Sequence, residues 1–120
     1  MTDLIACLST GKGTWVEVSK LIKAENWDKI YLITNQFGKD KFNAGDGKDI
    51  EFIIVDNRAP ASEIKEKIIS ELKGKINVET AINFISGAGN EHMGLLAALI
   101  SLGVGLRLVE ATDNTGLKEL

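Results

Sequence analysis

The chain reads as a single α/β domain with helices on both faces of a mostly parallel sheet. Three observations predict this. Five apolar runs of strand length occur along the chain. Most are separated by stretches with helical periodicity. The runs are continuous rather than alternating, which suits strands buried on both faces of a parallel sheet. Strand, helix and strand in repetition give βαβ units with right-handed crossovers.

The first run is "DLIACL" (3–8), and "STGKGTW" (9–15) follows it. Thr14 is placed to cap a helix, and Glu17 three residues on completes a capping box. That helix runs to about Ala24, with Trp15, Val18, Leu21 and Ile22 facing inward. Trp27, in "ENWDK", reads as packing beneath the next strand, "KIYLIT" (29–34), which is rich in β-formers. The polar, glycine-rich stretch "QFGKDKFNAGDGKD" (36–49) interrupts the alternation. It reads as a loop, with one helical turn at "KDKF". "DIEFIIVD" (49–56) is the third strand.

"SEIKEKIISELKGKI" (62–76) places Ile64, Ile68, Leu72 and Ile76 every four residues on one helix face. Pro60 and Ser62 mark its start, and Gly74 lies near its end. The fourth strand is "TAINFIS" (80–86). A helix apolar nearly all round follows over 90–103, with Asn90 as its cap. The fifth strand is "GLRLVEAT" (105–112). The tail "DNTGLKEL" carries turn residues and then a short alternating piece. It reads as a tight turn into a short antiparallel sixth strand at the sheet edge. The whole is a Rossmann-like three-layer domain covering residues 1–120, of strand order 3-2-1-4-5.

Composition bounds the function classes. A chain of 120 residues builds one core, and 44% hydrophobic with 26% charged residues is ordinary for a soluble globular domain. A net charge of −3 argues against general nucleic-acid binding through bulk charge. The lone cysteine, Cys7, forms no intramolecular disulfide and reads as a buried small residue. No apolar run reaches the ~18 residues of a membrane span. The amino terminus lacks the basic start and cleavage site of a signal peptide. A cytoplasmic protein is expected.

In the expected order, the first and fourth strands are neighbours and the winding reverses between them. Ligands of open α/β sheets bind at that switch point, outside the carboxyl ends of the strands. Two loops meet there: Ser9-Thr10-Gly11-Lys12-Gly13-Thr14 and Ser86-Gly87-Ala88-Gly89-Asn90. Both lead into a helix amino terminus. Glycine permits close backbone approach, and free N–H groups with the helix dipole favour an anion. Lys12 adds a mobile cation. The plain alternative is that these glycines serve only the turns.

"GKGT" does not complete a Walker A loop, because Gly13 follows Lys12 and Ala6 stands where the earlier glycine belongs. "SGAGNEH" lacks the third glycine of a dinucleotide fingerprint, since His92 holds that place. An ATPase is excluded and a dinucleotide dehydrogenase is disfavoured. Asn35 and Gln36 could read a base or ribose and Phe37 could stack on one. Lys39 and Lys41 share that rim. Asp56, Asn57 and Arg58 read as a turn further from the switch point. His92, the single histidine, is placed for general acid–base work or for packing. No metal site and no cofactor are expected, as no Cys/His cluster has ligand spacing. The apolar helix carries Met93, Gly94, Ala97 and Ala98, which point to a homodimer packed through it.

Two stretches, "LSTGKGTW" and "NFISGAGNEHMGLLAALISLGVGLRLVEAT" (83–112), make the chain resemble a minimal, stand-alone CRISPR-associated Rossmann-fold (CARF) domain of archaeal type. The resemblance spans most of the chain, through loose motifs. It implies a homodimer that binds cyclic oligoadenylate across its twofold axis. Ser9, Thr10, Gly11, Lys12, Ser86, Gly87, Gly89 and Asn90 would then be binding residues. Ser9 or Thr10, with Lys12, would be candidates for metal-independent ring cleavage. Glu91 and His92 depart from the Lys or Arg that this family often carries there. Three functions follow as expectations: a nucleotide sensor, a ring nuclease, or an interaction protein with no small ligand.

Overall fold

The apolar runs pair side by side because each can bury both of its faces. The computed structural model describes residues 2–45, 47–114 and 116–120. Its strands are β1 (Asp3–Cys7), β2 (Ile30–Thr34), β3 (Ile50–Ile54), β4 (Glu79–Asn83), β5 (Gly105–Ala111) and β6 (Leu117–Glu119). Its helices are α1 (Trp15–Ala24), α2 (Gln36–Lys41), α3 (Ala61–Leu72) and α4 (Gly89–Leu102). They form one six-stranded sheet of order β3-β2-β1-β4-β5-β6. Pairing is parallel throughout except between β5 and β6. The edge strand is thus real, set by Val109 opposite Glu119 and Ala111 opposite Leu117. Thr112 and Gly116 close its turn with two hydrogen bonds of 3.0 Å. Asp46 of the long loop and Thr115 of the last turn lie outside the described residues.

Side-chain alternation divides the core into two layers. Leu4, Ala6, Leu8, Leu32 and Val109 face α1, whose Trp15, Val18, Leu21 and Ile22 are all buried. Phe42, which follows α2, closes the same layer. Ile5, Cys7, Tyr31, Ile33, Ile53 and Ile82 face α3 and α4. Trp27 Nε1 donates to the Leu21 carbonyl at 2.9 Å, fixing the entry to β2.

Several boundaries differ from the sequence reading, each for a local reason. α2 is longer than the single turn at "KDKF", because the Asn35 side chain accepts from Gly38 N at 3.0 Å and starts the helix early. Gly38 also lies against Thr34, where a Cβ would collide. β4 ends at Asn83 rather than at Ser86. There the Asn83 side chain accepts from Ile85 N and donates to Val109 O, which turns the chain. α3 stops at Leu72, and Gly74 beyond it takes the left-handed φ of +80°. Among the described residues, no helix is long and apolar enough to cross a membrane.

Candidate functional site

The parallel pairing of β1 with both β2 and β4 puts the reversal of winding where the sequence placed it. The loops after β1 and β4 therefore meet above the carboxyl ends of the central strands. Their meeting point is Ser86, which is 2% exposed. Its Oγ accepts from Ser9 N at 2.8 Å and from Thr14 Oγ1 at 2.6 Å. Trp15 Nε1 donates to Ser9 O at 3.0 Å, so the Ser9 peptide is held from both sides. Trp15 is itself buried against Phe37 and Phe42.

This brace corrects the expected capping box. Thr14 makes no cap bond to its own helix, because its hydroxyl is spent on Ser86. The expected cap at Asn90 is displaced as well. α4 begins one residue earlier, after Ala88, and Glu91 supplies its side-chain cap by accepting from Ala88 N at 2.7 Å. Asn90 Nδ2 instead donates to Asn57 O and Ala59 O, tying α4 to the segment before α3. Asn35 is likewise engaged as the cap of α2.

Gly87 is required by packing. Its φ is +97°, and a Cβ there would come within 2.7 Å of the Cys7 Cβ. Gly11, Gly13 and Gly89 face open space, with nothing within 4 Å of an added Cβ. Thr10, Gly11, Lys12, Gly13 and Gly89 are exposed. Lys12 Nζ lies 5.9 Å from the Trp15 ring centroid. The predicted ligand-binding residues thus divide. Ser9, Thr14 and Ser86 join the two loops, Gly87 packs on Cys7, Asn35 caps α2 and Asn90 ties α4 to the segment before α3, while Thr10 to Gly13 and Gly89 are exposed.

Beside the loops lies Glu91, which the sequence marked only as a departure from the Lys or Arg of the family it resembles. Glu91 is 3% exposed, and burial pushes its carboxyl above the ordinary range, against smaller opposing effects of the Ala88 N–H and His92. Burial also pushes the Cys7 thiol up strongly, with Glu91 adding to it, so Cys7 is no thiolate nucleophile. His92 Nε2 is 2.7 Å from Ser86 O, and its ring stacks on Phe84 with centroids 4.8 Å apart. Engaged on both counts, the histidine positions the loop. The spacing of Glu91 from Ala88 was a readable cap signal, but nothing local announced its burial.

The apolar helix is also divided. A Cβ on Gly94 would come within 2.8 Å of Ile64, and Ala98 is fully buried. Gly94 and Ala98 therefore serve contact with α3 inside the fold, not an outer surface. Met93 and Ile100 face outward, 63% and 64% exposed, with Ala97 partly covered. Among the described residues, no group of three His, Cys, Asp or Glu could hold a metal.

No family model and no curated relative matches the sequence. The fold, however, is similar to that of Csm6 from Enterococcus italicus, solved bound to cyclic hexa-2′-fluoro-hexa-dAMP. The TM-score is 0.56 at 12% identity, over 98% of this chain and 35% of that one. The chain thus spans about a third of that protein's length. At this identity the likeness is one of fold.

Proposed function

We propose that this chain is a CARF-like module that binds cyclic oligoadenylate over the loops after β1 and β4. The observation that carries the reading is the Ser86 brace, which holds two glycine loops together and leaves their outer surface open. Backbone N–H groups of Gly11, Gly13 and Gly89 face phosphate oxygens, and Lys12 supplies the cation. The fold it shares with a protein solved on a cyclic oligonucleotide supports the ligand class. Binding is favoured over ring cleavage at this site. The Ser9 hydroxyl is turned back on Gly11 O and His92 Nε2 is held on Ser86 O, so both groups hold the loops together.

The functional unit in this reading is a homodimer. Met93, Ala97 and Ile100 lie along one outward stripe of α4, which starts at the ligand loops. Packing two such helices would set two loop pairs beside one another, and one ring would span both. The test is Lys12→Ala with calorimetric titration of cyclic hexa-adenylate and a cleavage time course. Loss of affinity with an intact subunit number supports the binding reading. Loss of turnover with retained affinity would replace it with ring cleavage. No effect on either would remove Lys12 and its loop from function.

A further inference from the structure

At the end of the sheet opposite the loops, where β1, β2 and β3 begin, lies a cavity of ≈ 470 Å³. That volume falls within the ~300–1,000 Å³ range of small-molecule pockets. Asp3 of β1, Tyr31 of β2 and Glu51 of β3 line it from one face of the sheet, because Ile5 is level with Tyr31 and Tyr31 with Glu51. Asp28 and Lys29 just before β2, with Lys75 and Asn77 between α3 and β4, complete the walls.

Asn77 draws two carboxylates together. Its Nδ2 donates to Asp3 Oδ1 at 3.1 Å and to Asp28 Oδ2 at 3.4 Å, and its backbone N donates to Asp3 Oδ2 at 3.2 Å. Asp3 is 2% exposed. Burial and the Asp28 charge push its carboxyl above the ordinary range, against the Asn77 and Lys29 N–H groups. Both lysines of the cavity are engaged elsewhere. Lys29 Nζ lies 2.8 Å from Asp49, and Lys75 Nζ 3.4 Å from Glu51. Among the described residues, no salt bridge reaches Asp3 or Asp28. Tyr31 is also 2% exposed, and no group among the described residues hydrogen-bonds its hydroxyl. The charges that act on that hydroxyl are Asp3, Glu51 and Lys29, all walls of the cavity, and Asp49. The phenol thus holds an open hydrogen bond toward whatever enters.

An anion would meet two unneutralised carboxylates and no free cation. A metal ion lacks its ligand set, since among the described residues no three His, Cys, Asp or Glu are placed to hold one. An ammonium group brings one positive charge and three donors, which match two carboxylates and one phenol oxygen. We infer that this cavity binds a small primary amine, its ammonium held by the Asp3 and Asp28 carboxylates and the Tyr31 hydroxyl. The site is independent of the nucleotide loops, because it uses the other ends of the strands.

The test titrates butylamine against the whole chain labelled on nitrogen, at constant ionic strength, with tetramethylammonium and magnesium as comparisons. Butylamine is expected to shift the Asn77 side-chain amide saturably. Tetramethylammonium carries the charge but no N–H, and is expected to leave that amide in place. Asp28→Asn should weaken butylamine binding by about 10-fold or more, and Tyr31→Phe by about 3-fold or more. Asp28 is exposed, so its variant keeps the fold even if the Tyr31 variant does not. Affinity unchanged in either folded variant, or equal shifts with tetramethylammonium, would overturn the site in favour of bulk ionic attraction. Magnesium binding more tightly than butylamine, and lost in Asp28→Asn, would overturn the amine in favour of a metal. Shifts that do not saturate by about 10 mM butylamine would refute the site outright.

Discussion

Replacing Ser86 by alanine should loosen the fold at the site rather than merely remove a ligand contact. The hydroxyl accepts two hydrogen bonds, from Ser9 N and Thr14 Oγ1, in a place that is 2% exposed. Each such bond contributes about 0.5–1.5 kcal/mol, and a stranded buried donor costs about 1–3 kcal/mol. Ser9 and Thr14 are only half-buried, so water relieves part of that cost. About 2 kcal/mol of destabilisation is expected. Unfolding entropy near 2.1 cal/mol/K per residue makes this a fall in Tm of roughly 8 °C for a chain of this length. Urea unfolding of wild type, Ser86→Ala, Thr14→Val and the double variant would measure it. The single effects should overlap by about 1 kcal/mol, because both remove one shared bond. A loss below about 0.5 kcal/mol, or strictly additive effects, would show that Ser86 does not brace the loops.

Three further predictions concern the same neighbourhood and the core. Gly87→Ala should cost about 2–4 kcal/mol, from left-handed strain and the clash with Cys7, while Gly89→Ala is tolerated; paired thermal melts decide it. Thr80 is fully buried and its hydroxyl has no partner among the described residues, so Thr80→Val should stabilise by about 1 kcal/mol in urea unfolding; a loss would reveal a bond to that hydroxyl. Glu91 carries a raised carboxyl, so the folded state holds its proton more tightly than the unfolded chain does. Its contribution is fully present below the ordinary glutamate range and is lost as pH rises through its elevated folded value. The Glu91→Gln variant keeps an acceptor for Ala88 N and lacks this loss. Its stability relative to wild type should therefore grow from pH 4 to pH 7; an unchanged difference would contradict the burial of a charged Glu91.

Much of the fold was legible because burial on both faces writes itself into continuous apolar runs. The inward residues of α1 and the strand order follow from that pattern, and even the short β6 showed in its turn residues. Hydrogen-bonding side chains were harder to read, because each has several available partners. Thr14 and Asn90 are good caps by type, yet tertiary partners outcompete the caps for both. The switch-point loops could be placed, since topology alone fixes them. The division of labour within them could not, because the burial of Ser86 and Glu91 depends on residues up to 77 positions away. The cavity at Asp3, Tyr31 and Asn77 was invisible for the same reason. Asp3 and Asn77 meet across 74 positions of chain. For α4, apolar character all round concealed which side meets α3, and Gly94 and Ala98 proved to be on it.

The central claim is that one cyclic oligoadenylate rests on the loops of two chains. Native mass spectrometry of the protein with cyclic tri-, tetra- and hexa-adenylate reports subunit number and bound mass together. The account predicts a dimer that takes up one ring, with uptake abolished by Lys12→Ala and the dimer retained. A monomer, or a dimer that takes up no ring at high micromolar concentration, would contradict it.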